Sequence, residues 1–213
     1  MSTTAQQRLE GATAEEVVAY GVERFHPRLT LACSFQKEES VLFHMLSLQG
    51  GGTEPLRAFT IDTGVLFPET LQTWKRFEDR FPEVRIDVLD AHSSGAPWTP
   101  ANCCGPAKVA ALETALTDVD AWITGIRREQ ATTRATTPKA EHDDRRGIVK
   151  LNPLADWSDK DVWTYIFKHD LPYNPLHDQG YDSIGCATCT LPGNGRDGRW
   201  AGLDKTECGI HVA

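Results

Sequence analysis

Apolar positions along this chain fall into two alternating rhythms, short continuous runs and stretches spaced at three and four residues. "TAEEVVAYGVERF" has the helical spacing and opens with Thr13 and Glu16 three apart, a capping box, so it predicts a helix. "RLTLACS" is a short apolar run, predicting a buried strand, and "EESVLFHMLSL" returns to helical spacing. "LRAFTID" predicts a second strand. "PETLQTWKRFEDRF" predicts a helix with Pro68 in its first turn and Leu71, Trp74, Phe77 and Phe81 on one face. "VRIDVLD", "KVAALETAL" and "AWITGI" give strand, helix and strand. After a polar stretch at 127–146 come a short strand, "GIVKLNP", and a helix, "SDKDVWTYIFKHD", with Ser158 and Asp161 in capping-box spacing.

Strands alternating with helices predict an α/β fold with an open, mostly parallel sheet and helices on both faces. Such sheets bind ligands beyond the carboxyl ends of their strands, here near Ser34, Asp62, Asp90 and Gly125. From about residue 171 the chain is rich in Gly, Pro and Asp and loses periodicity. The expected division is an α/β domain over 1–170 and an irregular C-terminal tail over 171–213.

At 213 residues the chain is long enough to bury a substantial core. Its net charge of −8 argues against a general nucleic-acid or membrane-surface binder. No apolar run has the length of a membrane span. The start, "MSTTAQQRLE", lacks the layout of a secretory signal, which predicts a cytoplasmic protein with reduced thiols. The charge is uneven: Arg127, Arg128, Arg134, Lys139, Arg145, Arg146 and Lys150 crowd one stretch. That pattern suits either a small-anion site or a solvated loop of mixed charge.

Three strand-end turns carry candidate chemistry. "ACSFQKEESVL" places a polar turn between strand and helix, where backbone N–H groups can cradle an anion, although it lacks the ending of a Walker A loop. "IDTGVLFPET" offers Asp62, Thr63 and Gly64, the glycine permitting a tight turn. "GIRREQATTR" sets three arginines beyond Gly125, and the guanidinium fork suits phosphate or sulfate oxygens. Ordinary capped turns would read the same way.

Six cysteines complete the inventory: Cys33, the adjacent Cys103 and Cys104, the Cys186/Cys189 pair of a C-x-x-C, and Cys208 near the end. Four thiolates suit zinc or an iron–sulfur cluster, and a bare C-x-x-C suits a redox pair. Spacing alone does not separate these.

Taken together, Cys103-Cys104 with Lys108, "GIRREQATTR", "LNPLADWSDKDVW", "YNPLHDQGYDSIGCATCT", "GRW" and terminal "ECGIH" resemble the assimilatory sulfonucleotide reductases. The closer resemblance is to the iron–sulfur branch that reduces adenosine 5′-phosphosulfate. It runs from about Leu29 to His211.

That resemblance implies an adenine-nucleotide α-hydrolase-like fold and a [4Fe–4S] cluster on Cys103, Cys104, Cys186 and Cys189. It places Lys108 between cluster and substrate anion. The turns with Ser34, Phe35, Gln36 and Ser40, and with Asp62, Thr63 and Gly64, would hold the nucleotide. Gly125, Arg127, Arg128 and Arg134 would form an arginine loop, and Arg196, Arg199 and His211 would help to grip the phosphosulfate. Cys208 would be the nucleophile, forming a Cys–S–sulfonate as AMP leaves. Thioredoxin or glutaredoxin, as a separate protein, would then release sulfite. Lys37 between Glu38 and Glu39 leaves open whether a 3′-phosphate is accepted, so the 3′-phosphorylated nucleotide is the alternative substrate. The sequence leaves open whether the chain is a homo-oligomer. Two other readings of the same fold are an ATP-using adenylyl-transfer enzyme and a non-catalytic zinc or iron–sulfur regulator. Cys33 is expected to be a buried strand thiol.

Overall fold

A computed structural model of the protein describes residues 3–91 and 105–200. Six strands form one sheet: β1 (Leu29–Cys33), β2 (Leu56–Asp62), β3 (Val84–Asp90), β4 (Ala121–Ile123), β5 (Ala140–Asp143) and β6 (Ile148–Leu151). Their spatial order is β3-β2-β1-β4-β6-β5. All neighbouring pairs are parallel except β5 with β6. The helices are α1 (Thr3–Glu10), α2 (Ala14–Phe25), α3 (Lys37–Ser47), α4 (Pro68–Arg80), α5 (Pro106–Ala115) and α6 (Asp159–Lys168).

Local signals fix much of this. Thr13 caps α2 and Ser158 caps α6, each accepting a hydrogen bond from the backbone three residues on, as the capping boxes predict. The central strands carry continuous apolar runs because helices cover both of their faces. On one face α2, α3, α4 and α6 bury Val17, Val18, Leu42, Phe43, Phe77 and Ile166 with β1, and on the other α5 buries Leu112 against Phe59, Ile61 and Trp122.

Three expectations need correction. The polar stretch 127–146 contains β5 and two 3-10 turns, Arg128–Gln130 and Thr132–Arg134. The buried face of α4 is Thr70, Thr73 and Phe77, with Leu71 48% exposed. A one-residue rotation of the stripe follows because Thr70 accepts a hydrogen bond from Asn174 Nδ2 (3.0 Å) and Thr73 bonds back to Glu69 (2.8 Å), so threonines occupy the inner face. The segment beyond residue 171 lacks long elements but packs closely through 200, burying Leu176, Ile184, Cys186 and Trp200. Cys33 is buried in β1, as expected.

Candidate active site

β1, β2 and β4 end together, and a cavity of about 430 Å³ opens at that edge. Ala32 to Glu39 form one side, Thr124 to Arg127 another, and Asp182 to Cys186 with Arg196 and Arg199 a third. This is where an open parallel sheet binds ligands.

The turn after β1 is built under tension. Phe35 has φ +58°, a left-handed conformation that costs a non-glycine residue of order 1 kcal/mol. Its ring is buried and stacks on Trp74 at 5.4 Å, which holds the backbone in place. Gln36 then caps α3. Its backbone N–H donates to Glu39 (2.9 Å), while its side-chain oxygen accepts from the backbone of Ile184 (2.9 Å). The C-terminal segment is therefore tied to the turn directly. A second tie joins Ala187 N–H to Val65 carbonyl at 2.8 Å, beside a bridge between Leu66 and Cys186.

Charge in the cavity floor is organised by Arg127. Nε donates to Glu38 (2.9 Å), Nη2 to Asp159 (2.9 Å), and Nη1 to Glu129 (3.2 Å) and the Trp157 carbonyl (3.3 Å). Lys37 meets Asp159 at 2.5 Å and lies over the Trp163 ring. Burial raises the Asp159 carboxyl, but Lys37 and Arg127 outweigh that and hold it below its ordinary value. Burial, reinforced by Glu38, pushes the neighbouring Glu39 up to about 8.

The third wall depends on Gly185. A Cβ there would fall 2.6 Å from Arg199 Cζ. The bare backbone lets the Arg199 guanidinium lie against it, with the Trp200 ring 4.6 Å away. Arg199 Nη1 donates to Ser183 Oγ (3.2 Å) and the Ile184 carbonyl (3.1 Å). Its Nε is buried without a hydrogen-bond partner among the described residues.

The structure thus gathers Ser34, Phe35, Gln36, Lys108, Gly125, Arg127, Arg134, Arg196 and Arg199 around one cavity, with Cys186 in its wall. Arg128 turns away, to the Thr137 carbonyl and Glu10. Ser40 is buried inside α3, and its hydroxyl finds no partner among the described residues. Asp62, Thr63 and Gly64 form the turn after β2 but do not line the cavity, which Ile61 and Leu66 on either side do; Asp62 accepts from Gly64 N–H (2.8 Å) and Gly64 takes φ +70°. Glu38, Glu39 and Asp159 also belong to the site. Asp159 was legible only as a helix-start acid, and no signal in the sequence pairs it with Arg127. Cys103, Cys104, Cys208 and His211 lie outside the described residues.

The donor set can be tested against an iron–sulfur cluster at the cysteines that are described. Cys186 caps a single 3-10 turn, Ala187–Cys189, and Cys189 ends it, the first buried and the second partly exposed. Cys186 Sγ lies 3.2 Å from Thr63 Oγ1, a pair in which either group can donate; toward a thiolate the hydroxyl is the donor. Two thiols on one turn, with a hydroxyl beside one of them that can donate to a thiolate, fit soft-metal ligation. Gly105 and Pro106 open α5 directly after Cys103-Cys104 in sequence, and Lys108 of that first turn reaches the cavity. Among the described residues there is no group of three or more His, Cys, Asp or Glu placed to hold a metal. Nor, among them, is any helix long and apolar enough to cross a membrane.

Comparison with known proteins decides the family. Residues 28–192 match the phosphoadenosine phosphosulfate reductase domain. The chain belongs to the phosphoadenosine phosphosulfate reductase family. It is an oxidoreductase acting on sulfur, and its fold is that expected from the resemblance. A phosphoadenosine 5′-phosphosulfate reductase of Gloeobacter violaceus is 42% identical over 220 residues, covering 95% of this chain and 90% of that protein. An adenosine 5′-phosphosulfate reductase of Bacillus thuringiensis is 38% identical, covering 99% and 94%. The crystal structure of the Candida auris phosphoadenylyl-sulfate reductase, a phosphate complex, superimposes with a TM-score of 0.72 at 26% identity, covering 90% of this chain and 98% of that one.

Proposed function

We propose that this enzyme reduces adenosine 5′-phosphosulfate to sulfite and AMP in assimilatory sulfate reduction. The observation that carries the reading is the single cavity at the strand ends, where Lys108, Arg196 and Arg199 meet the Ser34–Phe35–Gln36 turn and the Cys186 wall. A sulfonucleotide needs an adenosine slot and a cationic end, and the cavity joins both.

The commitment of Lys37 to Asp159 supports the unphosphorylated nucleotide. The lysine that could have met a 3′-phosphate is already paired, and the carboxyls of Glu38 and Glu39 stand beside it. The 3′-phosphorylated compound, which gives the Gloeobacter relative its name, is the alternative.

In this mechanism the Cys208 thiolate attacks the sulfur of the phosphosulfate. An S–S bond forms, the S–O bond to AMP breaks, and Cys208 carries an S-sulfonate. A thiolate of thioredoxin or glutaredoxin then attacks Cys208 Sγ. Sulfite leaves with the bonding pair, and the partner's second thiol resolves the mixed disulfide, so two thiols are oxidised per sulfite released. Lys108, Arg196 and Arg199 offset repulsion between thiolate and substrate. Cys103, Cys104, Cys186 and Cys189 would hold a [4Fe–4S] cluster, which would pin the C-terminal segment to the domain and orient Lys108. The chain would work in the cytoplasm, over domains at 1–170 and 171–213.

Intact-protein mass after anaerobic mixing with adenosine 5′-phosphosulfate, without thiol donor, tests this. One added sulfonate, absent in Cys208→Ser, is the expected result. No addition with either sulfonucleotide, in cluster-loaded protein, would overturn it.

A further inference from the structure

Two adjacent carboxyls line a cavity meant for an anion, and the fold treats them differently. Glu38 Oε1 receives Arg127 Nε at 2.9 Å and Gln130 Nε2 at 3.1 Å. Glu39 receives only neutral donors, the Gln36 backbone N–H at 2.9 Å and Ser34 Oγ at 3.1 Å. Both side chains are almost wholly buried.

Among the described residues, the charged groups around Glu39 leave it without a cation. On its own helix, Lys37 is turned to Asp159 at the start of α6, and Glu38 adds a like charge. From the loop after β4, Arg127 spends its three nitrogens on Glu38, Glu129, Asp159 and the Trp157 carbonyl, and Arg134 donates to Gln130 (2.6 Å). From β1 the nearest titratable group is Cys33, whose thiol burial pushes well up. From the C-terminal segment, Arg199 is held by Ser183 and the Ile184 carbonyl. Opposite Glu39 is bare backbone at Gly125, where a Cβ would fall 2.7 Å from Glu39 Oε1.

We propose that Glu39 is a positioning residue that must be a neutral acid for the cavity to take its anionic nucleotide. As an acid it closes the turn after β1, accepting from Gln36 and Ser34, without adding charge to the wall. As a carboxylate it sets an uncompensated negative charge against the ligand in a low-dielectric cavity. The inference rests on the reading that this cavity is the nucleotide site. A carboxyl that titrates near pH 8 is neutral at pH 7 and mostly ionised at pH 9. Nucleotide binding and loss of this proton oppose each other, so binding near pH 8 takes up a proton.

The experiment is calorimetric titration of the full-length, cluster-loaded enzyme with AMP at pH 7, 8 and 9, in two buffers of different ionisation heat. Affinity is expected to fall about ten-fold between pH 7 and pH 9, since only the protonated form binds. About half a proton is taken up per AMP at pH 8. Glu39→Gln, which keeps the shape but cannot ionise, removes both the slope and the uptake. Infrared difference spectra of the unaltered enzyme supply a second readout, a protonated-carboxyl stretch present at pH 7 and lost by pH 9. AMP binding with the same slope and uptake in both proteins, or no such infrared band, overturns the role of Glu39 and leaves the nucleotide site standing. Absence of AMP binding to the unaltered enzyme at every pH overturns the nucleotide reading itself, and this inference with it.

Discussion

Thr63 and Cys186 stand 123 positions apart in the chain, yet the threonine hydroxyl lies 3.2 Å from the cysteine sulfur. The contact joins the turn after β2 to the segment that closes the cavity. A hydroxyl facing a ligating thiolate donates to it, which stabilises the ligand and any group bound there.

Thr63→Val keeps the β-branch and removes the donor. With the proposed cluster bound, the expected outcome is bleaching of the anaerobically purified protein in air roughly ten-fold faster than in the unaltered enzyme. Thr63→Ser should behave almost as the original does. Equal bleaching rates in all three would show that the hydroxyl does not support the cluster.

Gly185→Ala tests the packing of Arg199. The added methyl meets the guanidinium at 2.6 Å, and the arginine must leave its place between the backbone and Trp200. Stability should fall by about 1–3 kcal/mol, the usual cost of overpacking. On the proposed function, in which Arg199 meets the substrate anion, kcat/KM should fall further, roughly ten- to hundred-fold. Unchanged steady-state kinetics in the folded variant would remove Arg199 from the anion site.

Arg127→Met leaves Glu38 buried without its cation and should cost about 3–5 kcal/mol in chemical denaturation. Adding Glu38→Gln should recover a large part of that loss, since the uncompensated charge is then gone. A double variant as unstable as the single one would mean that Arg127 acts through its contacts to Asp159 and Trp157 instead.

Glu39 also gives stability a pH dependence whose sign is fixed. Its folded-state pKa of about 8 lies above the ordinary carboxyl value, which the unfolded chain regains. Between those two values the unfolded state has released a proton that the folded state keeps, so this group lowers stability as pH rises toward 8. Glu39→Gln lacks the effect. The variant's melting temperature should therefore gain on that of the unaltered enzyme from pH 5 to pH 8, and a constant difference would contradict a neutral Glu39.

How much of this was legible in the sequence depended on how local each cause is. The capping boxes at Thr13 and Ser158 and the apolar runs of β1, β2 and β4 act over a few residues, and they marked their elements correctly. β5 escaped because Glu141, His142 and Asp143 carry no apolar pattern, and ion pairs such as Lys150–Glu141 and Arg146–Asp143 flank its pairing with β6. α1 escaped for the same reason. Its buried anchor is Leu9, and Glu10 joins it to Arg128. The three turns of the site were found from strand-end position and residue type. Which arginines face the cavity was not readable, because carboxylates far along the chain, Glu38 for Arg127 and Glu10 for Arg128, decide it.

The closing wall has a consequence for how the enzyme is made. The last strand of the sheet ends at Leu151, whereas Ser183, Gly185, Cys186, Arg196 and Arg199 all come later. A chain emerging from the ribosome can assemble its whole sheet while one side of the cavity is still unsynthesised. Until translation reaches that stretch, the nascent protein lacks the wall that carries Arg196 and Arg199, and the cavity stands open on one side.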